Sequence, residues 1–259
     1  MRAKAVSRDK QHGMTENRRR SLSSLSSFMV CVVAFTSLST PVYGQTQDWA
    51  APTTVYILGA GHTSDRLFLD TWRTHRVLLG DPITEEFEAN TSFTGTPPTR
   101  RTVQYHENVA LTFLPDQPLG EQVWALPLGK EAFDRDNVKR MPDFLASGSC
   151  ASESPETCVH FETTGHTLRG IAKEFWESNG GERLIGEPLS EAMPRDGFIV
   201  QYFGQAVLRW KTGREVSPRP LGEETAKRLK LDTQRVPQPD SVPIYSEILF
   251  VPPPAPIEV

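Results

Sequence analysis

The chain has 259 residues, and its charge is unevenly distributed: residues 1–44 carry seven Lys or Arg and two acidic residues. Removing this segment from the totals of 28 basic and 32 acidic residues leaves 21 and 30, a net charge of −9 for residues 45–259. That balance argues against a nucleic-acid binder, which needs a basic face, and against an anionic membrane surface as the main partner. The length fits one or two domains.

The first 44 residues have the layout of a secretory signal peptide. Arg18-Arg19-Arg20 precede the apolar segment 28–35, and small and polar residues follow up to Gly44. We expect cleavage after Gly44, which leaves 45–54 as a short leader; Met14 is an alternative start. An uncleaved anchor is the alternative, but the apolar segment is much shorter than the roughly 20 residues that span a bilayer. We therefore expect a mature chain without a transmembrane segment, secreted or held at the cell envelope.

The strongest pattern is an internal repeat over residues 55–141 and 161–235. Six motifs recur in the same order, and the offset between copies changes only where loops are expected. Ordered recurrence of this kind indicates a duplicated structural unit. The matched pairs are Gly61-His62 with Gly165-His166, Trp72 with Trp176, the block 80–85 with 186–191, Val103-Gln104-Tyr105 with Val200-Gln201-Tyr202, Leu111-Thr112-Phe113 with Leu208-Arg209-Trp210, and Pro127-Leu128-Gly129 with Pro220-Leu221-Gly222.

In chain order, each segment predicts a helix, a turn, strands and a second short helix. Thr63 and Thr167 stand where helix N-caps are expected, and the strands of the second segment are expected to bend near Gly204. The predicted helices span 64–75, 130–141, 168–177 and 223–231, and the predicted strands span 103–114 and 198–210. The sequence thus predicts an α+β fold of two tandem repeats, each with a helix, a β-hairpin or short antiparallel strands, and a second short helix.

The predicted linker, residues 142–160, holds the two cysteines that remain after signal removal, Cys150 and Cys158. An even cysteine count in an exported chain favours a disulfide. The alternative is a metal pair with His160 and His166 as further ligands, although the spacing matches no usual zinc pattern. We predict a disulfide, no metal site and no cofactor.

The predicted tail, residues 236–259, contains seven prolines among its 24 residues. Such a composition predicts an extended chain close to polyproline II. Ile244, Ile248, Leu249 and Phe250 are nevertheless apolar enough to dock on a domain.

Several motifs of the second segment occur together in a known kind of repeat. They are Gly165-His166, Phe175-Trp176, Gly180-Gly181, the Gly-x-Pro-x-Ser-Glu block 186–191 and Gln201-Tyr202-Phe203. The combination resembles a repeat of secreted bacterial proteins and is similar in style to LGFP-type repeats, which accompany cell-wall hydrolases. The resemblance covers 160–230 well and 55–130 weakly, because the first segment lacks the Gly-Gly and the Phe before Trp. It implies a non-catalytic envelope or extracellular module and supplies no ligand.

The duplicated histidines and glutamates are the candidates for chemistry. His62 with Glu85, and His166 with Glu191, are residue types that act as general bases or bind metals. The alternative is a structural turn at the helix entry, with each Glu and the Thr or Ser before it capping the next segment. An active site is seldom built twice in identical form, so we favour the structural interpretation. The sequence has no nucleophile elbow, zinc-protease motif or nucleotide-binding loop.

The recurring aromatic residues are the candidates for binding. Tyr105, Tyr202 and Trp210 lie on predicted strands and, if exposed, would form flat platforms for sugar rings or for an apolar patch of a partner. Trp72 and Trp176 are expected to fill the small core of each unit, and a core role stays open for the strand aromatics too.

These observations predict an exported, non-catalytic repeat protein that acts as a binding or structural module at the cell envelope or outside the cell. Its partner would be a cell-wall polymer, a glycan or another envelope protein. Two alternatives remain open: a secreted hydrolase of cell-wall or extracellular polymer with a His/Glu site between the repeats, and a secreted carbohydrate-binding protein.

Overall fold

The computed structural model describes residues 49–92 and 97–254, which form a mixed α+β fold. These residues belong to one compact unit, residues 48–259. The α+β class is therefore confirmed. The predicted signal peptide and its cleavage site lie outside the described residues, as does the end of the predicted tail.

The first half of the described chain, residues 54–141, places a hairpin and a helix before an antiparallel sheet. Its elements are β1 (Thr54–Ile57), β2 (His62–Asp65), α1 (Arg66–Leu79), β3 (Phe87–Thr91), β4 (Thr99–Tyr105), β5 (Ala110–Phe113), β6 (Val123–Ala125), α2 (Leu128–Arg135) and a 3₁₀ turn (Val138–Arg140). Strands β1 and β2 form the hairpin, and β3 to β6 form a four-stranded sheet in chain order.

The second half, residues 158–235, has the same kinds of element in a similar order. Its elements are β7 (Cys158–Phe161), β8 (His166–Arg169), α3 (Gly170–Ser178), α4 (Gly181–Leu184), β9 (Met193–Arg195), β10 (Phe198–Tyr202), β11 (Val207–Trp210), β12 (Ser217–Pro218) and α5 (Leu221–Leu229). Strands β7 and β8 form a hairpin, and β9 to β12 form a second antiparallel sheet.

Two hydrophobic cores each draw side chains from both halves. The core beneath α1 contains Trp72 of the first half together with Leu168 and Leu208 of the second. The other core brings Tyr105 together with Tyr202. A segment of this size buries only modest apolar area alone, so sharing the cores increases the area that each half removes from water.

Helices α2 and α5 each contact a strand turn of the opposite half. The Lys130 N–H at the start of α2 donates to the Gly204 carbonyl oxygen, 2.8 Å away, in the turn between β10 and β11. The Glu223 N–H at the start of α5 donates to the Glu107 carbonyl oxygen, 3.0 Å away, in the turn between β4 and β5. The two helices are thus exchanged between the halves.

The glycine of each Pro-Leu-Gly motif permits this contact. A Cβ atom on Gly129 would lie 2.2 Å from the Phe203 carbonyl oxygen, and one on Gly222 would lie 1.8 Å from the His106 carbonyl oxygen. Both distances are far below van der Waals contact and both involve backbone, which cannot swing away as a side chain can. Only glycine fits at these two positions.

After each exchanged helix, the chain continues over the hairpin turn of the half that the helix contacts. The Gly148 N–H donates to the Gly165 carbonyl oxygen at 3.0 Å, and the Val236 N–H donates to the Gly61 carbonyl oxygen at 2.9 Å. Residues of the predicted linker and tail therefore cover the Gly-His turns.

The structure corrects the predicted helix entries. Thr63 and Thr167 lie in β2 and β8 and cap no helix. The N-cap residues are Asp65 and Arg169, and neither side chain makes a capping hydrogen bond. The two hairpins were missed because strands of four residues leave little periodicity to detect. The bend near Gly204 is confirmed, since the chain turns there between β10 and β11.

The tail docks on the first half through Tyr245. The Tyr56 N–H donates to the Pro243 carbonyl oxygen at 2.8 Å, and the Tyr245 N–H donates to the Tyr56 carbonyl oxygen at 2.9 Å. The Tyr245 ring meets Trp72 edge to face, with ring centroids 4.8 Å apart.

Four apolar residues of the tail are expected to dock on the fold, but two of them face solvent. Ile244 is 43% exposed and Ile248 is 70% exposed. Phe250 does pack, with the Arg73 guanidinium 3.6 Å above its ring centroid.

Cys150 and Cys158 form the predicted disulfide, with Cα atoms 5.7 Å apart. The bond joins the linker to the first residue of β7. The linker also packs on the fold, since the Phe144 ring lies edge to face against Phe133 and His166. The predicted disulfide is confirmed.

Candidate functional site

The Glu191 carboxylate is the centre of a buried polar cluster in the second half. Its Oε1 accepts a hydrogen bond from the Thr167 N–H at 2.8 Å and lies 3.2 Å from His166 Nδ1. Its Oε2 accepts a hydrogen bond from the Thr167 hydroxyl. The side chains of His166 and Glu191 are only 6% and 8% exposed, so the protein itself supplies the partners of this carboxylate.

Gln201 joins this cluster to the sheet. Its Nε2 donates to the Thr167 carbonyl oxygen at 2.8 Å and to the Ser190 carbonyl oxygen at 2.9 Å. The Ser190 hydroxyl in turn accepts a hydrogen bond from the Tyr202 N–H at 3.1 Å. The hairpin, the loop before β9 and strand β10 are thereby held together.

The first half contains the same cluster around Glu85. Glu85 Oε1 accepts from the Thr63 N–H at 3.0 Å and lies 3.1 Å from His62 Nδ1, and Oε2 accepts from the Thr63 hydroxyl. Gln104 Nε2 donates to the carbonyl oxygens of Thr63 and Thr84 at 2.7 and 3.1 Å. The two clusters differ in two ways: the Glu85 side chain is 38% exposed, and among the described residues only the second cluster has an arginine, Arg169, which donates to the Thr167 hydroxyl at 2.7 Å and lies 3.5 Å from Glu191 Oε2.

A left-handed glycine places each histidine. Gly61 and Gly165 have φ of +79° and +73°, a conformation that glycine adopts without strain. Each closes a tight turn by donating its N–H to the last residue of the preceding strand, at 2.8 Å in both halves. The next residue, the histidine, then begins the returning strand and is buried.

The electrostatics of both clusters favour a charged carboxylate. Burial by itself raises the pKa of Glu85 and of Glu191, but the hydrogen bonds from the neighbouring His and Thr outweigh it and hold each pKa below the ordinary value. A general acid or base works best with a pKa near the operating pH, so these carboxyl groups are shifted in the unhelpful direction.

The predicted caps are also corrected at these positions. Thr84 and Ser190 each accept a backbone N–H from the sheet, at 3.1 Å from Tyr105 and Tyr202 respectively. Glu85 accepts its hydrogen bonds from β2, and it caps no helix because the next element is strand β3. The Thr-Glu and Ser-Glu pairs are therefore cross-links between elements.

The two helix tryptophans hold each helix to the turn that follows it. Trp72 Nε1–H donates to the Gly80 carbonyl oxygen at 3.1 Å, and Trp176 Nε1–H donates to the Gly186 carbonyl oxygen at 2.8 Å. Trp72 is fully buried and Trp176 is half-buried. Both belong to or pack on the core, as the sequence predicts.

The strand aromatics do not form exposed platforms. Tyr105, Tyr202 and Trp210 are 6%, 0% and 9% exposed. A ring that stacks on a sugar needs an open face, which burial in the two cores removes. The core interpretation therefore describes these side chains, and the expectation of flat surface platforms is corrected.

Sequence reasoning missed an ionic network around the Tyr202 hydroxyl. Asp136 Oδ2 accepts hydrogen bonds from the Tyr202 hydroxyl at 2.8 Å, from Arg195 at 3.0 Å and from Arg219 at 2.6 Å. Burial and the neighbouring Asp136 raise the pKa of Tyr202 to about 12. No local signal points to this network, because Asp136 follows α2 and reaches the site only through the helix exchange.

Within residues 49–92 and 97–254, no cluster of His, Cys, Asp or Glu is suited to holding a metal ion. In that same part of the chain, no helix combines the length and apolar character needed to cross a membrane. Comparison with known proteins gives no match to a protein-family model, a curated protein or a solved structure.

Proposed function

We propose that this protein is an exported, non-catalytic binding or structural module built from two tandem repeats, acting at the cell envelope or outside the cell. The observation that carries the proposal is the doubled hydrogen-bond cluster. His, Thr, Glu and Gln occupy matching places in both halves and contact one another through the same atoms. A structural cross-link must be kept in each copy of a duplicated unit, whereas a catalytic site need not be.

The exchanged helices support the duplication independently of the clusters. Lys130 with Gly204 and Glu223 with Glu107 are equivalent hydrogen bonds if the two segments are aligned through their motifs. The bonds of Gly148 and Val236 to the two Gly-His turns match in the same way. A chain that duplicated and then closed on itself would make each contact twice, once in each direction.

The state of the two glutamates supports a non-catalytic role. Each carboxylate is engaged by His and Thr, and each histidine is almost completely buried. A hydrolase site needs an acid or base that reaches substrate. The disulfide and the predicted signal peptide support export, and the resemblance to LGFP-type repeats makes the cell wall the first partner to test.

Retention on envelope material tests the proposal directly. Purified residues 45–259 would be mixed with sedimented cell-wall polymer, membrane vesicles and insoluble glycans, and the bound fraction measured. We expect saturable retention on cell-wall polymer that heat-denatured, reduced protein does not show. Failure to bind every fraction would contradict a binding role at the envelope.

His166→Ala separates the module from the hydrolase alternative. Since the His166 ring is buried against Glu191, we expect its loss to lower the melting temperature by several degrees, with no turnover of wall polymer by the parent protein. His160→Ala is the matched control, because His160 lies at the surface of the same hairpin. Turnover that vanishes in His166→Ala at an unchanged melting temperature would favour the hydrolase.

A further inference from the structure

A groove of about 580 Å³ opens beside Tyr105 in the first half. It is lined by residues of β3, β4, α2 and α5, and its volume falls in the range of small-molecule sites. About half of the lining is apolar, including Phe87, Val103, Leu126 and Leu229, and the rest is polar or charged. The groove belongs to neither His/Glu cluster.

The hydroxyl of Tyr105 is unpartnered at this groove. The Tyr105 side chain is more than nine-tenths buried, and its ring stacks on Phe87 at a centroid distance of 6.2 Å. Its hydroxyl makes no hydrogen bond with any residue in 49–92 or 97–254. The hydroxyl oxygen is not enclosed by the protein, so it is open to the groove and can donate a hydrogen bond to a molecule bound there.

The equivalent place in the second half is filled. Tyr202 matches Tyr105, and its hydroxyl is bonded to Asp136 beside Arg195 and Arg219. Aligning the strand registers and the helix starts matches Ala89 with Arg195, Leu126 with Arg219, and Leu229 with Asp136. Three charged side chains that close one site are thus replaced by apolar side chains that leave the other open.

The charges at the groove cancel one another. Arg228 contacts Glu131 at 2.6 Å, and Lys130 pairs with Asp134. Two positive and two negative groups in mutual contact offer no excess charge to an ion. An uncharged ligand fits this environment, because a buried charge without a partner would be costly.

We propose that the groove binds an uncharged small molecule with an apolar ring system or chain as its body and one oxygen that accepts a hydrogen bond from the Tyr105 hydroxyl. The apolar lining contacts the body of the ligand, and the hydroxyl fixes its orientation. Ligand binding in the groove is a separate property from retention on envelope material, so either one can be lost without the other.

Nile red tests the proposal, because it is uncharged, polycyclic and carries a carbonyl oxygen. Titration of the dye with residues 45–259 is expected to give saturable fluorescence enhancement. Tyr105→Phe removes only the hydroxyl and is expected to weaken binding by about fivefold, the worth of one hydrogen bond. Ala89→Trp is expected to abolish binding, because the indole occupies the groove that Ala89 lines.

Glu88→Trp is the matched control for Ala89→Trp. It adds the same side chain to the neighbouring residue of β3, which is exposed, and is expected to leave dye binding unchanged. Melting curves of all variants establish that each is folded. Absence of saturable binding, or equal binding by Ala89→Trp and the parent protein, would overturn the proposal.

A second copy of the chain is the competing occupant. If two copies covered the groove, the protein would sediment as a dimer, and Leu229→Arg would convert it to a monomer. That result would also overturn the small-molecule proposal, whereas a monomer that binds Nile red supports it.

Discussion

Glu86 is a side chain of the first half whose charged form is destabilised by its surroundings. Its Oε1 is buried without a hydrogen-bond partner. Burial first, and then repulsion from Asp65 and Glu85, raise the pKa of Glu86 to about 7. Hydrogen bonds lower the pKa of the adjacent Glu85, so the pKa values of two neighbouring carboxyl groups are shifted in opposite directions.

We predict that Glu86→Gln stabilises the protein at pH 8 but has little effect at pH 4. The folded protein holds the Glu86 proton more tightly than the unfolded chain does, so stability falls as pH rises from about 4.5 to about 7. Above pH 7 the full penalty applies, about 1–2 kcal/mol after allowance for solvent screening. Urea unfolding at both pH values measures the change in the free energy of unfolding, and Glu88→Gln at an exposed position is the control. A stabilisation equal at both pH values would contradict the assignment.

We predict that Glu191→Gln destabilises the fold by about 1.5–3 kcal/mol, the cost of hydrogen bonds to a buried charge. Glu85→Gln makes the same change in the more exposed cluster and is expected to cost less. Since the folded pKa of Glu191 is depressed, its contribution is present above about pH 4.5 and is lost as pH falls through the folded pKa. Chemical unfolding between pH 3 and 7 measures it. An equal loss in both variants would contradict the prediction, because it would show that neither the lower exposure of Glu191 nor its Arg169 contact adds to stability.

At the scale of elements, the helices follow from sequence better than the hairpins. The helical spacing of Leu67, Phe68 and Trp72 predicts α1 to within a few residues of its observed ends, and Phe68 and Trp72 are buried in the structure. The sequence predicts helix entries at the residues that form β2 and β8, because each strand is short and leads directly into a helix. The Gln and Thr side chains that tie these hairpins to the sheets carry no local pattern, and only the matched Val-Gln-Tyr motifs point to them.

We predict that Gly222→Ala destabilises the protein by at least about 3 kcal/mol, because the added Cβ would overlap the His106 carbonyl oxygen and separate α5 from the first half. Gly129→Ala is expected to act likewise at the opposite contact. Glu223→Ala changes the next, exposed residue of α5 and serves as the control. Thermal unfolding checks all three. A mild effect of Gly222→Ala would mean that the exchanged helix is free to shift.

At the scale of the whole molecule, contacts between distant segments hold residues 49–92 and 97–254 together. The helices are exchanged between halves, both cores are shared, and the tail pairs with β1. A chain built this way cannot lose either half without exposing the core of the other.

We predict that Tyr245→Ala lowers the free energy of unfolding by about 2–4 kcal/mol, because it removes an aromatic contact with Trp72 and uncovers that ring. Ile248→Ala is the control, since Ile248 is 70% exposed and is expected to change stability by less than about 0.5 kcal/mol. Denaturant unfolding of the two variants makes the comparison. Equal effects would show that the tail is not anchored through Tyr245.

The sequence by itself determined the mixed α+β composition, the disulfide and the positions of the matched motifs, because periodicity, cysteine count and recurrence are properties of residue order. It did not reveal which Tyr hydroxyl is paired, since Asp136, Arg195 and Arg219 meet at Tyr202 only after folding. The helix exchange brings Asp136 of the first half to Tyr202, where it meets Arg195 and Arg219 of the second half. The same exchange in the other direction brings the apolar Leu229 to the groove at Tyr105, so the site at Tyr202 is closed and the one at Tyr105 stays open.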